Sequence, residues 1–426
     1  MLAAPASPPS RFASRDTAMV PFIAVVFVLT YAGMALGRFP GLKVDRSGIA
    51  MIAAVVLAAA GAIEPQGLVQ AIHFPTLLLL GGLMILSARV RAAGFYDAAA
   101  AWIASQGGRP LLLLALTVAV GGVLPALLVN DIVVFAMTPL LCTGLRIRGL
   151  DPRPFLVALA AASNAGSAAT LIGNPQNILI GQVGGLGFWS YLAAAAVPAI
   201  LALLSVFAIT AFVCRRALRA EATAGDLPRP AVDRAQAAIC GLALLALLGL
   251  FASPLPREIA ALLVAAILVV SRTLPSRQLL DEIDLPLLIL FAGLFVVNDA
   301  FAQTGFAEAA VRWLDSQGLL PSRLALLAPL TLLLSNTIGN VPAVVMILKV
   351  WHGIPAGTLV GLAMLSTLAG NLFLVGSLAN LIVAERAARV GVRLSFRDHA
   401  KAGVPITLVS MAAAGLWLWH TGLMPV

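Results

Sequence analysis

Charge is the first thing this chain has little of. Only 11% of its 426 residues are Asp, Glu, Lys or Arg, against about 25% in an ordinary soluble domain. Apolar residues make up 61% and the mean hydropathy is +1.01. That excess has no place in a water-soluble fold of this size, which needs a polar skin. A cytosolic enzyme, a disordered chain and a nucleic-acid-binding domain are thereby excluded. Cysteine is scarce too: Cys142, Cys214 and Cys240 are too few and too scattered for a disulfide framework or a zinc site. The four histidines (His73, His352, His399 and His420) fall at interfaces and tails by this reading, with no HExxH spacing, so an intramembrane hydrolase is set aside and no enzyme is expected. There is no GxxxxGK[ST] loop for ATP.

What the chain does have is long apolar runs. Charge-free stretches occur at 20–37, 48–63, 74–88, 110–130, 132–145, 154–214, 235–256, 259–271, 285–298, 324–348, 350–384 and 402–426. A membrane helix needs about 20 mostly apolar residues. The run 154–214 holds two helices, split at Gly181–Gly187. The regions 110–145 and 324–348 each carry a polar cluster near the middle, Asn130-Asp131 and Ser335-Asn336-Thr337. A re-entrant hairpin with the cluster at its tip satisfies those groups better than a helix exposing them to hydrocarbon.

The expected fold is therefore an all-α polytopic membrane protein of ten spanning helices and two hairpins. Loops 38–47, 89–109, 146–153, 215–234, 272–277 and 385–401 then share one side and hold 21 of the 27 Lys and Arg. Basic loops stay in the cytoplasm, which places both termini outside an inner (plasma) membrane. The net charge of +9 has the same origin and calls for no nucleic-acid partner.

Self-comparison divides the chain in two. At an offset of 211, Pro75, Gly82, Gly94, Phe95 and Trp102 fall on Pro286, Gly293, Gly305, Phe306 and Trp313; at 206, Asn130 falls on Asn336; at 203, Ser163, Gly173 and Asn177 fall on Ser366, Gly376 and Asn380. The organisation expected is a polar external tail (1–19), a first repeat (20–214, hairpin 110–145, broken helix 154–181), a basic cytoplasmic linker (215–234) and a second repeat (235–426, hairpin 322–349, broken helix 355–384). Short amphipathic segments are expected at 94–106 and 305–315. Five spans per repeat is an odd number, so the second lies inverted. Inverted repeats with discontinuous helices belong to secondary transporters, whose site lies where the repeats meet. With no ATP motif, an ion gradient drives transport, or the protein is a passive channel.

The candidate site is built on the two breaks and the two tips. In Ser163-Asn164-Ala165-Gly166-Ser167-Ala168-Ala169-Thr170-Leu171-Ile172-Gly173-Asn174-Pro175-Gln176-Asn177, Pro175 breaks the helical ladder and Gly173 permits unusual dihedrals. Free carbonyls then face small cations and a half-helix N-terminus faces an anionic group; the bland alternative is a kink satisfied by neighbouring side chains. Ser163, Asn164, Thr170, Gly173, Asn174 and Asn177 are the candidates there, and Asn371, Ser377 and Asn380 are theirs in the second copy. Asp131 is the one carboxylate deep inside a hydrophobic run, a candidate to carry a proton or to ligate Na+ when ionised. Its alternative role is a helix N-cap, which Asn130 can also fill. Asn298 and Asp299 are expected at the outer interface. The second tip, Ser335, Asn336 and Thr337, offers neutral oxygens that suit Na+ or a hydroxylated solute. No Lys or Arg is expected at the membrane centre, so a bound anion would rest on amides, hydroxyls and a co-bound cation.

At the VND tip (129–131), SNAGSAATLIGNPQN (163–177), SNTIGNVP (335–342) and GSLAN (376–380), the chain resembles the ion transporter superfamily. That group holds arsenite-efflux permeases, NhaD-type sodium/proton antiporters, plant silicon-efflux proteins, citrate permeases and divalent anion:sodium symporters. The resemblance runs from about 20 to 424. The SNT tip is similar to that of the divalent-anion symporters, which implies Na+ and substrate binding at Ser335, Asn336 and Thr337; their first tip is also SNT, whereas this one reads VND. The Asn-Asp tip resembles the arsenite-efflux and antiporter branches, and GNPQN the silicon-efflux and bacterial anion-permease branches. By that resemblance Asn130, Asp131, Asn174 and Asn177 line an ion or substrate site, with Na+ possible at the Asn130 and Asn336 tips. It also implies a dimerising scaffold, hence a homodimer, and a moving transport part. The function expected is secondary active transport of an arsenite, silicate, sulfate or carboxylate-class solute, coupled to H+ or Na+ without a further cofactor. The alternative is a Na+/H+ antiporter.

Overall fold

The computed structural model describes residues 19–37, 43–106, 109–219, 231–270 and 274–426, so most of the expected external tail and the middle of the basic linker lie outside the described residues. Those described are helical or irregular, with no strand among them. Helices α1 (Met19–Leu36) and α2 (Arg46–Ala59) are followed by a short α3 (Pro65–Ala71), by α4 (Phe74–Ala92) and by α5 (Phe95–Ser105). Two residues join α6 (Pro110–Leu127) to α7 (Asn130–Ile147). An irregular stretch parts α8 (Arg153–Ser167) from α9 (Pro175–Val183), and α10 (Phe188–Val213) ends the half.

The second half repeats the order. It runs α11 (Arg234–Leu250), α12 (Arg257–Val269), a short α13 (Ser276–Leu280), α14 (Leu285–Ala302) and α15 (Phe306–Ser316). The pair α16 (Leu324–Thr337) and α17 (Asn340–Val350) follows, then α18 (Ala356–Ala369), a second break, α19 (Leu378–Arg389) and α20 (Phe396–His420). Helices α3 and α13 lie where plain loops were expected. The amphipathic segments fall at α5 and α15, each begun by a glycine in the left-handed region, Gly94 (φ +77°) and Gly305 (φ +79°). A side chain is strained there.

Among the described residues, seven helices (α1, α4, α6, α7, α10, α14 and α20) are long and apolar enough to cross a membrane. Their outer faces carry bare apolar side chains: Val28, Leu204, Phe212 and Leu416 are all more than half exposed. On α11 only Cys240 and Leu247 are buried. Water does not tolerate such a surface, but lipid does.

The two halves meet through a matched pair of close approaches. A Cβ on Gly82 of α4 would overlap the main chain of Ala261 on α12, and one on Gly293 of α14 that of Ala50 on α2. Both partners obey the offset of 211, so one contact is made twice. Within the first half, Gly166 of α8 lies directly against the Gly122 backbone of α6. Small residues let backbones approach this closely, the usual means of helix association in lipid.

Candidate functional site

Helix α8 is buried from Pro154 to Ser167 and α18 from Thr358 to Ala369. Pro175 has no N–H, and Asn174 caps α9 instead, its Oδ1 accepting from Asn177 N at 2.9 Å. Gly173 is needed for space rather than for unusual dihedrals: it has no positive φ, but a Cβ there would strike the carbonyls of Ser167 and Pro125. Gly376, its counterpart, lies as tightly against Gly370 and Asn336.

The breaks are locked by a polar network that obeys the offset of 203. Asn177 Nδ2 donates to the carbonyls of Thr170 (3.0 Å) and Ser167 (3.4 Å), while Asn380 Nδ2 donates to those of Phe373 (3.1 Å) and Gly370 (2.8 Å). Asn164 Nδ2 donates to Asn380 Oδ1 (3.2 Å), and Thr367, the residue equivalent to Asn164, donates to Asn177 Oδ1 (3.2 Å). Ser377 Oγ donates to Asn164 Oδ1 (3.0 Å), matched by Asn174 Nδ2 to Thr367 Oγ1 (3.4 Å). Asn164 also donates to Asn371 Oδ1 at 2.8 Å.

Both paired helices dock on these breaks. Asn130 N donates to Gly173 O (3.0 Å) and Thr170 Oγ1 to Ala126 O (2.7 Å). On the other side Asn336 Nδ2 donates to Ala369 O (2.9 Å) and Ser335 Oγ to Ser366 O (3.2 Å). The chain reverses at Leu128–Val129 and at Ile338–Gly339, so Asn130 and Asp131 open α7 whereas Ser335, Asn336 and Thr337 close α16.

A cavity of about 480 Å³ meets both reversals. Of the predicted residues it exposes Asn130, Asp131, Asn336, Thr337 and Ser377. Ser163, Asn164, Thr170, Gly173, Asn174, Asn177, Ser335, Asn371 and Asn380 stand behind that wall, and all but Ser163 make the contacts just described. Ser163 is fully buried and its Oγ has no hydrogen-bond partner. Asp131 is no N-cap: Val129 holds that position without a side-chain bond, and Asp131 Oδ2 is buried with no partner. Asn130 Oδ1, Asn336 Oδ1 and Asn340 Oδ1 are likewise buried and unpaired. Four acceptor oxygens around the two reversals thus lack donors. Left so, each costs about 1–3 kcal/mol, which a bound proton, cation or hydroxyl would offset.

Several site residues escape sequence reasoning. Arg46, expected in a cytoplasmic loop, is the first residue of α2 and lines this cavity with Asp45, Gln176, Asp284 and Asn340. A cationic side chain therefore does reach the second reversal. His399 is fully buried. Its Nε2 donates to Asn371 O (3.0 Å), as Tyr191 OH donates to Ala168 O (2.8 Å); Ala168 and Asn371 are again 203 apart. Nothing in the sequence around His399 matches Tyr191. Asn298 is also buried, donating to Tyr31 OH at 2.8 Å, and its neighbour Asp299 pairs with Lys349 at 3.0 Å. Among the described residues no three of His, Cys, Asp and Glu cluster as transition-metal ligands would.

Known proteins resemble this chain in sequence and in fold. The chain is 28% identical to an uncharacterized transporter of Mycobacterium tuberculosis, over 92% of this chain and 97% of that one. It is 27% identical to the silicon efflux transporter LSI3 of rice, Oryza sativa subsp. japonica, over 88% of this chain and 92% of the relative. The crystal structure of the Alcanivorax borkumensis YdaH transporter has the same fold, with a TM-score of 0.55 at 14% identity, over 96% of this chain and 99% of that one. The model of the CitMHS family, described as citrate transporter, matches residues 22–358. A match over most of the chain leaves no room for an enzyme: this is a multi-pass membrane transporter, and it belongs to the CitMHS citrate transporter family.

Proposed function

We propose that the chain is a secondary active transporter that carries a small anion or hydroxylated oxyanion through the 480 Å³ cavity by alternating access, with Asp131 as the group that couples it to H+. The observation that supports this reading most is the cluster of unpaired oxygens at the reversals, Asp131 Oδ2 among them. A carboxyl facing a cavity without a resident partner can take up a proton together with the cargo and lose it on the other side. Citrate heads the solutes to try, because the family is described by it. Silicate and arsenite follow, since relatives are named for silicon efflux and arsB.

In this reading α6–α7 and α16–α17 are re-entrant hairpins from opposite sides, and the halves are inverted repeats. The cavity wall takes in the end of α1 and the starts of α2 and α14, which the basic loops assign to the cytoplasm of an inner membrane. Both termini are then external, and the protein works as a homodimer.

The same unpaired oxygens would suit a bare Na+, which keeps a Na+/H+ antiporter as the second reading. Proteoliposomes with a preset pH gradient separate the two. Proton flux that starts on adding citrate, sulfate, silicate or arsenite in Na+-free buffer is the expected result. Flux that answers to Na+ or Li+ alone replaces it with the antiporter.

A further inference from the structure

The guanidinium of Arg46 projects into the cavity with most of its donors unused. Its Nε donates to Met34 O at 3.1 Å. Neither terminal nitrogen has a hydrogen-bond partner among the described residues, and no described ion pair includes this side chain. The guanidinium lies at the second chain reversal, its Nη1 3.5 Å from where a Cβ on Gly339 would stand.

Three carboxylates share the cavity, yet none forms an ion pair with Arg46. Asp45 Oδ1 accepts from Gly48 N (2.9 Å) and Asp284 Oδ1 from Leu287 N (3.0 Å), each serving its own helix. Asp131 belongs to the first reversal. Arg46 is thus a half-buried cation without an ion-pair partner among the described residues.

Its counterpart shows what this position does when no cavity opens before it. At the offset of 211 Arg46 falls on Arg257, the first residue of α12. Arg257 Nη1 donates to Leu186 O (2.8 Å) and Nη2 to Gly181 O (2.6 Å), so both terminal nitrogens are spent on the end of α9. At Arg46 the equivalent pair makes no such bond among the described residues and lines the cavity whose wall also holds Asn336 and Asn340. A planar fork of free donors matches a carboxylate or oxyanion bidentately.

We propose that Arg46 is a specificity-determining residue that holds the negatively charged group of the cargo, and so selects anions over neutral hydroxylated solutes. The inference rests on the transport reading above. Its test is the KM–kcat split for uptake of radiolabelled citrate and of silicic acid, uncharged at neutral pH, into proteoliposomes. Wild type is compared with Arg46→Gln, Arg46→Lys and Lys43→Gln, the last removing an exposed charge nearby that does not line the cavity. Arg46→Gln is expected to raise the KM for citrate about tenfold or more, the loss of one charge-assisted pair. Arg46→Lys recovers part of that loss, while Lys43→Gln shifts KM by less than about twofold and silicic acid distinguishes no variant. If Arg46→Gln keeps the wild-type KM for citrate, or Lys43→Gln raises it equally, Arg46 does not hold the cargo although transport stands. If wild type moves neither solute nor any other anion, the transport reading falls and this inference with it.

Discussion

At the scale of single residues, the polar groups of this chain do two different jobs that the sequence does not distinguish. Asn164 and Asn130 look alike as buried amides in apolar runs, but Asn164 is spent on Asn371, Asn380 and Ser377, whereas Asn130 keeps an oxygen unpaired at the cavity. Asn164→Leu strands three buried partners, each costing about 1–3 kcal/mol. It is expected to lower the unfolding temperature of the detergent-solubilised protein by several degrees. Asn130→Ala removes an already unpaired atom, so it should leave that temperature within a degree or two and act on transport instead. Equal destabilisation by both would merge the two roles. The candidate residues were legible because polar groups are rare in such runs. Their division was not, since it depends on which face of a broken helix meets the other half. Arg46 was missed because a charge at the edge of an apolar run reads as loop, and His399 because its role comes from a contact with Asn371 carried by no motif.

At the scale of elements, the breaks and reversals follow from a few residue types, and these were readable: Pro175 and the Asn-rich turns marked them. The glycines at the breaks serve space rather than unusual dihedrals. Gly173 and Gly376 serve close approach, and only packing partners far away in sequence reveal that. Gly82 and Gly293 act alike between helices. Gly293→Leu drives a side chain into the Ala50 carbonyl, a clash that costs about 1–3 kcal/mol or more if α2 and α14 cannot part. Its partner clash, Gly82→Leu against Ala261, should do the same. Loss of the monodisperse peak in size-exclusion chromatography is expected for both, and a wild-type profile for either would show that the close approach is dispensable.

At the scale of the whole molecule, two of the sequence offsets, 203 and 211, recur in hydrogen bonds and close approaches that no sequence displays, whereas the match of Asn130 with Asn336 does not: one opens α7 and the other closes α16. Asn177 and Asn380 hold equivalent carbonyls, and Gly82 and Gly293 meet equivalent alanines. The two positions nevertheless differ: both terminal nitrogens of Arg257 are bonded, whereas Arg46 is held only through its Nε. Ser47 lies on the cavity wall. In a variant with Cys142, Cys214 and Cys240 replaced by alanine, Ser47→Cys should therefore react with a membrane-impermeant maleimide in inside-out vesicles. Labelling only in right-side-out vesicles would reverse the orientation set by the basic loops.

The account as a whole turns on Asp131, a carboxyl that faces the cavity with one oxygen unpaired. Its most direct test compares wild type with Asp131→Asn in proteoliposomes, measuring both uphill citrate uptake driven by a pH gradient and citrate exchange at equilibrium. The amide fills the same space but cannot carry the proton. Uptake against the gradient should vanish in the variant while exchange persists. Uphill, proton-driven uptake at the wild-type rate would contradict the assignment of Asp131 as the coupling group.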